Sequence, residues 1–209
     1  MFLNTINNSL LSVIDRLSQQ PAIADSFYLA GGTALALQLG HRISVDLDFF
    51  TSVSFPVEQY ESLLIEDGCA IISSEQNTIH ASNNDARISL ISYPYPCIEA
   101  LVPFRGIKLA STRDIACMKV VAIAQRSEKK DFYDMYELLK QMDFKELKQL
   151  FLSKYSSSRI NCYHILKSFF FFDEADQQPD PVSLNGTTWQ QVKQFFENQE
   201  EDMMRTLLC

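Results

Sequence analysis

Two aspartates one residue apart, Asp46 and Asp48, follow the glycine pair Gly31-Gly32 after one short helix's worth of chain. The stretch Ser44-Val45-Asp46-Leu47-Asp48-Phe49-Phe50 alternates as a half-buried strand does, and residues two apart on a strand share a face. Asp46 and Asp48 are therefore expected to project together, with Val45, Leu47 and Phe49 turned to a core. Carboxylates side by side repel each other. A divalent cation between them offsets the repulsion, and hard oxygen ligands suit Mg²⁺, with Mn²⁺ as a substitute. Upstream, the apolar run Phe27 to Ala30 reads as a buried strand that stops at Gly31-Gly32. Thr33 is placed to cap a helix from Ala34 to Leu39, which Gly40 ends. Glycines at a helix N-terminus offer bare backbone N–H groups to an anion. A phosphate-holding turn just before a metal-holding strand describes a nucleotide site. Gly31, Gly32 and Thr33 form its cradle, and Arg42 and Ser44 are further phosphate contacts.

Around this segment the pattern is mixed and then helical. Ile6, Leu10, Val13, Ile14 and Leu17 recur at helical spacing, so residues 5–19 read as an amphipathic helix. Pro56 starts a helix from Val57 to Asp67, which Gly68 closes. Three short strands follow, Cys69–Ser74, Thr78–Ser82 and Ala86–Tyr93, with Asn83-Asn84 as a turn. Beyond Pro103 the expected helices are 112–125, 131–141, 144–154, 160–172 and one capped by Thr187 or Thr188 that carries Trp189 and Phe196. The expected organisation is an α+β first half, residues 1–104, and an all-helical second half, residues 105–209.

The 209 residues carry a net charge of −8, which taken whole argues against a nucleic-acid binder. The charge is unevenly placed. Residues 1–104 hold 11 acids against Arg16, Arg42 and Arg87. Residues 105–130 hold Arg105, Lys108, Arg113, Lys119, Arg126, Lys129 and Lys130 against Asp114 and Glu128. That basic middle segment either solvates helix faces or faces a polyanion such as a triphosphate. The 5 cysteines are scattered and never spaced as CxxC, which argues against a zinc site or a disulfide framework and fits thiols in a reducing cytoplasm. No apolar run approaches a membrane span and no basic-then-apolar leader opens the chain, so a cytoplasmic location and no membrane partner are expected. No G-x-x-x-x-G-K-[ST] and no Ser/His/Asp or Cys/His grouping is legible, which excludes a P-loop and a covalent hydrolase. His41 reads as a solvated loop histidine, and His80 and His164 as structural.

A lone Asp-x-Asp pair is commonplace, but the ordered set Gly31-Gly32-Thr33 then Arg42-x-Ser44-x-Asp46-x-Asp48-Phe49 is specific. It resembles the nucleotidyltransferase core shared with DNA polymerase β, and more closely the AbiEii/AbiGii toxin family of bacterial nucleotidyltransferases. Asp114 and Lys119 match that family's D-x-x-x-x-K segment. Arg126 through Leu138, with Lys130-Asp131 and Asp134, resembles its R-x-K-D-x-x-D segment. The resemblance covers about residues 25–140 and implies a polymerase-β-like mixed sheet with flanking helices. It also implies transfer of a nucleoside monophosphate from a nucleoside triphosphate to an acceptor hydroxyl. Asp46 and Asp48 would hold Mg²⁺, and Lys119 would meet charge on the departing pyrophosphate. Asp131 would be the metal-supporting acid or the proton acceptor, with Asp134 evenly balanced between site and scaffold. The acceptor so implied is an RNA 3′ end, tRNA foremost, in a toxin–antitoxin or phage-defence setting with a separate antitoxin. The sequence departs from the superfamily in one respect. The strand 86–91 carries Ser89 where a third acid is usual, leaving Asp85 or Asp131 as replacements. That absence keeps a non-catalytic nucleotide-binding module as an alternative, beside an enzyme that modifies a protein hydroxyl.

Overall fold

The computed structural model describes residues 1–156 and 161–207. Strand β1 (Tyr28–Ala30) is buried along its whole length and pairs antiparallel with β2 (Asp46–Thr51), setting Leu29 against Phe49 and Ala30 against Asp48. Along β2, burial alternates with the side-chain period. Leu47, Phe49 and Thr51 are covered, while Asp46, Asp48 and Phe50 are half-buried on the other face. Strands β3 (Ala70–Glu75), β4 (Thr78–Asn83) and β5 (Ala86–Ser92) form a meander, and β5 lies parallel to β2 with Ser89 directly opposite Asp48. The hairpin of β6 (Val102–Phe104) and β7 (Ile107–Leu109) completes a seven-stranded sheet in the order β3-β4-β5-β2-β1-β7-β6.

This last hairpin corrects the helical reading of the chain past Pro103. Its turn is Arg105-Gly106, with φ of +46° and +81°, the doubly left-handed geometry of a tight hairpin. Arg-Gly lacks the Asn-Gly signal, and Pro103 argues against a strand anywhere but a sheet edge, which is where β6 lies. The strands thus run to Leu109, and the change from sheet to helices falls after that residue.

Helices α1 (Asn8–Leu17), capped by the Asn7 side chain, and α4 (Val57–Glu66) cover one sheet face. Leu10, Ile14, Leu17, Tyr60 and Leu64 join Leu47, Phe49, Ile79, Ile88 and Leu90 in the core there. A one-turn helix, α2 (Pro21–Ala24), links α1 to β1. On the opposite face α3 (Gly31–Leu39) covers β1 and the start of β2 and ends at Gly40, φ +72°. Helix α3 begins at Gly31 itself, so Thr33 lies in its first turn and does not cap it. The hydroxyl is drawn into a tertiary contact described below.

The second half is helical. Ser111 caps α5 (Thr112–Arg126), and α6 (Lys129–Leu138) and α7 (Phe144–Lys154) follow. Helix α8 (Cys162–Ser168) is shorter than the expected 160–172, whose first residue lies outside the described ones. Helix α9 (Asp173–Asp176) lies in the stretch between the last two expected helices. A reciprocal capping box at Thr188 starts α10 (Trp189–Asn198), and α11 (Glu200–Leu207), unforeseen in the sequence, ends the described chain. Phe132, Phe169, Phe172, Trp189 and Phe196 pack ring against ring inside this half. Helix α3 packs on α5 and α6, so the two halves share one core. A fully buried Lys154–Asp114 pair at 2.7 Å helps join them, because Asp114 also accepts from the backbone N–H groups of Ile98 and Glu99. Cys69, Cys97 and Cys117 are free thiols, but Cys162 is disulfide-bonded, contrary to the reading of unpaired thiols. Spacing along the chain does not reveal which cysteines a fold brings together. Cys209 lies outside the described residues. Among the described residues no helix is long and apolar enough to cross a membrane.

Candidate active site

Between the open face of β2, β5 and β4 and helix α5 lies a cleft of about 670 Å³. That is the size of a pocket for a nucleotide-sized ligand. Gly31, Gly32, Arg42, Ser44, Asp46, Asp48 and Lys119 all line it. Thr33 and Asp131 stand behind its wall.

The glycine bend is fixed by what approaches it. Gly31 has φ +66°, and a Cβ there would sit 3.0 Å from Asp48 Oδ2. At Gly32 a Cβ would fall 2.2 Å from Arg42 Nη2, inside contact distance. The bend therefore faces Asp48 on one side and rests on the Arg42 guanidinium on the other. The Thr33 hydroxyl ties Ser44 Oγ (2.8 Å) and the Asp46 carbonyl to the same turn. Helix start, loop and the strand that carries Asp46 and Asp48 are thus one unit.

Asp46 and Asp48 share a face as the alternation required. Burial pushes the Asp48 carboxyl up from its ordinary value and the neighbouring Asp46 charge adds to the rise, while Ser89 opposes it by donating toward Asp48. Asp46 Oδ1 is buried without a hydrogen-bond partner, and Oδ2 meets only Lys130 Nζ at 3.4 Å. A buried orphan oxygen beside a second carboxylate that burial pushes up is what a two-acid cation site presents. No group of three or more His, Cys, Asp or Glu converges among the described residues. A two-carboxylate donor set fits Mg²⁺, which keeps water and takes substrate phosphate oxygens for its remaining positions.

Asp131 and Asp134, one helical turn apart on α6, are placed differently. Both are fully buried. Asp134 accepts from Arg42 Nε (2.7 Å) and Nη2 (2.8 Å), from His41 Nε2 (2.7 Å) and pairs with Lys119 Nζ (2.5 Å). Asp131 accepts from Lys119 Nζ (2.6 Å) and Arg126 Nε (2.8 Å). Burial by itself would raise Asp134, but Arg42, Lys119 and the His41 hydrogen bond outweigh it and hold the carboxyl well below the usual range. Asp131 is likewise lowered, burial being outweighed by Lys119 and Arg126. The same partners raise Lys119 against a burial effect that would lower it. Arg42 spends its third guanidinium nitrogen, Nη1, on the Ile43 carbonyl. These groups form a network beneath the glycine bend in which both carboxylates are paired, while His41 Nδ1 is left without a partner.

The cleft also contains residues that sequence reasoning left out. Arg87, opposite Asp46 in register, Ser89 and His80 line its floor, and Gln125, Arg126 and Lys130 its rim. Lys130 had a signal, its place in the R-x-K-D segment. Arg87 and His80 had none, because their position depends on strand pairing. Asp85, a proposed replacement acid, sits in the exposed β4–β5 turn and is not among the cleft's walls.

Comparison with known proteins now has a geometry to stand against. The family model described as the nucleotidyl transferase AbiEii toxin of type IV toxin–antitoxin systems matches residues 14–95 and 82–207. A protein of Aquifex aeolicus (strain VF5), itself uncharacterised, is 36% identical over 196 residues, spanning 87% of this chain and 90% of its own length. Among solved structures, MenT4, a nucleotidyltransferase toxin of Mycobacterium tuberculosis H37Rv, superposes with a TM-score of 0.55 at 14% identity, covering 95% of this chain and 86% of its own. A structure from H. pylori superposes at 0.53 and 14% identity, covering 95% and 97%. At such identities these two likenesses concern the fold.

Proposed function

Because the chain belongs to the AbiEii nucleotidyltransferase toxin family, we propose that it transfers a nucleoside monophosphate from a nucleoside triphosphate to an acceptor hydroxyl in a metal-dependent step at the Asp46–Asp48 cleft. The observation that carries this reading is the half-buried carboxylate pair, with Asp46 Oδ1 orphaned, facing a bend whose glycines have no room for a Cβ. Mg²⁺, or Mn²⁺ in its place, held by Asp46 and Asp48 would supply charge stabilisation to the phosphates during in-line attack. The N–H groups of Gly31, Gly32 and Thr33 hold the triphosphate at the start of α3. Ser44 steadies that turn through Thr33. Arg126, Lys130 and Arg87, the cations that remain solvent-accessible along the cleft, meet phosphate charge.

Lys119 acts mainly from behind, since both its carboxylate partners are already at contact distance. Arg42, Asp131 and Asp134 brace the bend and the strand. The acceptor is an RNA 3′ end, tRNA foremost, approaching a rim whose basic residues lie on α5 and α6. A separate antitoxin and a cytoplasmic setting complete the proposal.

The test is transfer of labelled α-phosphate from each of the four nucleoside triphosphates to bulk tRNA with Mg²⁺. Transfer that is lost in Asp46→Ala supports the reading. Ser89 at the usual place of a third acid favours a second reading, a module that binds nucleotide without turning it over. Tight binding by the wild type with no transfer to tRNA or protein would establish that second reading. Label that resists RNase and yields to protease would replace RNA by a protein acceptor.

A further inference from the structure

Nucleotidyl transfer needs a group to take the acceptor's proton, and the acids first considered for it are spent or remote. Asp131 and Asp134 are saturated by Lys119, Arg126, Arg42 and His41. Asp85 lies outside the cleft. Ser89 is no base. One imidazole lines the cleft among the described residues, that of His80.

His80 is part of a row that crosses three adjacent strands. In register, Asp48 of β2 stands opposite Ser89 of β5, and Ser89 stands opposite His80 of β4. All three side chains line the same cleft. His80 Nδ1 and Ser89 Oγ are 3.2 Å apart, and Ser89 stands beside Asp48 in register. A hydroxyl has one proton. The Asp48 carboxylate opposite Ser89 draws that proton, and Ser89 then accepts from His80, which puts hydrogen on Nδ1 and leaves Nε2 its lone pair. The row sets the tautomer that a base requires.

The direction of the row matters as much. In-line displacement puts the entering oxygen and the departing pyrophosphate on opposite sides of the α-phosphorus. The glycine bend lies on the β1 side of Asp48, and Ser89 and His80 lie on its other side. A triphosphate held at the bend therefore exposes its α-phosphorus to attack from above β5 and β4. His80 stands where the acceptor arrives, and its exposed ring can return a proton to solvent.

We propose that His80 is the general base of this site, oriented by Ser89, in the role that a third strand carboxylate would otherwise fill. The proposal rests on the nucleotidyl-transfer reading above. The acceptor hydroxyl gives its proton to His80 Nε2 as its oxygen bonds the α-phosphorus. The bond from that phosphorus to pyrophosphate breaks, and pyrophosphate leaves with the electron pair. The imidazolium then releases the proton to water. The other charged groups facing this region are Asp46 and Asp48 on β2, Arg87 on β5, Glu75 on β3, Lys119 and Arg126 on α5 and Lys130 on α6.

Two measurements test it. The first follows labelled α-phosphate transfer to bulk tRNA between about pH 5.5 and 9, for wild type, His80→Gln, Asp48→Ala and the double variant Ser89→Asp/His80→Gln. His80→Gln is expected to lower kcat about 10²- to 10⁴-fold with little change in nucleotide KM, and to lose the acid limb of the profile that histidine protonation produces. The double variant, which restores an acid to the strand, is expected to recover much of the rate. The second measurement reads the His80 ring nitrogens by ¹⁵N NMR without substrate. The Nδ1–H tautomer is expected in wild type and its loss in Ser89→Ala.

Transfer lost in Asp48→Ala but untouched in His80→Gln, with the same pH profile, overturns the inference and leaves the function standing. An Nε2–H tautomer in the wild type also overturns it. Absence of transfer by the wild type removes both.

Discussion

Asp46–Asp48 and Asp131–Asp134 are both carboxylate pairs set at the period of their element, two apart on a strand and three apart on a helix, within one network of the same molecule. Their electrostatic situations are opposite. The strand pair lacks strong partners. One oxygen is orphaned, one meets Lys130 at 3.4 Å, and burial pushes Asp48 upward. The helix pair is saturated by Lys119, Arg126, Arg42 and His41 and is held downward. A folded chain tolerates an uncompensated acid pair where a ligand compensates it, and it compensates a buried pair itself where the pair is scaffold. On the proposed function, the comparison separates chemistry from support among four aspartates that look equivalent in sequence.

The sharpest way to break this contrast is to remove one member of each pair. Asp134→Ala leaves Arg42 and Lys119 buried with too little negative charge, and is expected to destabilise the protein by about 3–5 kcal/mol in a denaturant titration. Asp48→Asn is expected to do the reverse to the fold while lowering transfer at least about a hundredfold, because it relieves a raised carboxylate and removes half of the proposed metal pair. The pH dependence follows the same division. Asp48, raised in the folded state, is a burden when ionised, so its contribution to stability improves as the pH falls through its folded value, an improvement the Asn variant lacks. Asp134 contributes stability that is complete above the unfolded carboxyl value near 3.9 and lost only as the pH falls through its own, lower one. Thermal melts of the wild type and both variants between about pH 4 and 8 distinguish the two.

Smaller effects sharpen the link between the pairs. Gly32→Ala drives a Cβ to 2.2 Å from Arg42 Nη2. Displacing that guanidinium is expected to cost about 1–3 kcal/mol and to weaken triphosphate binding measured by calorimetry. Lys130→Ala removes the cation that pairs with Asp46 at 3.4 Å and, being a half-exposed pair, is expected to change stability by less than about 1 kcal/mol. Its mark should be a nucleotide affinity that is weaker and less sensitive to salt.

Much of the placement of Asp46, Asp48 and the glycine bend was legible because local pattern sets it. Alternation placed Asp46 and Asp48 on one face, and glycines next to apolar runs placed the bend. The network behind the bend was half legible. Lys119 on an apolar stripe signalled an answer to buried negative charge, but nothing local told that Arg42, expected on phosphate, would be spent on Asp134. His80 was read as structural and Arg87 was passed over, because a strand's neighbours are set by pairing between segments far apart in the chain. The β6–β7 hairpin was lost to a proline and an atypical turn, and α11 to an acidic stretch without an apolar stripe strong enough to stand out.

Mn²⁺ offers the most direct test, since it takes oxygen ligands as Mg²⁺ does and is visible by anomalous scattering. A crystal grown with Mn²⁺ and a non-hydrolysable nucleoside triphosphate should show the ion bound to carboxylate oxygens of both Asp46 and Asp48, with the phosphates against the backbone of Gly31 and Gly32. An ion bound elsewhere, or a triphosphate seated away from that turn while the two aspartates stay empty, would contradict the account.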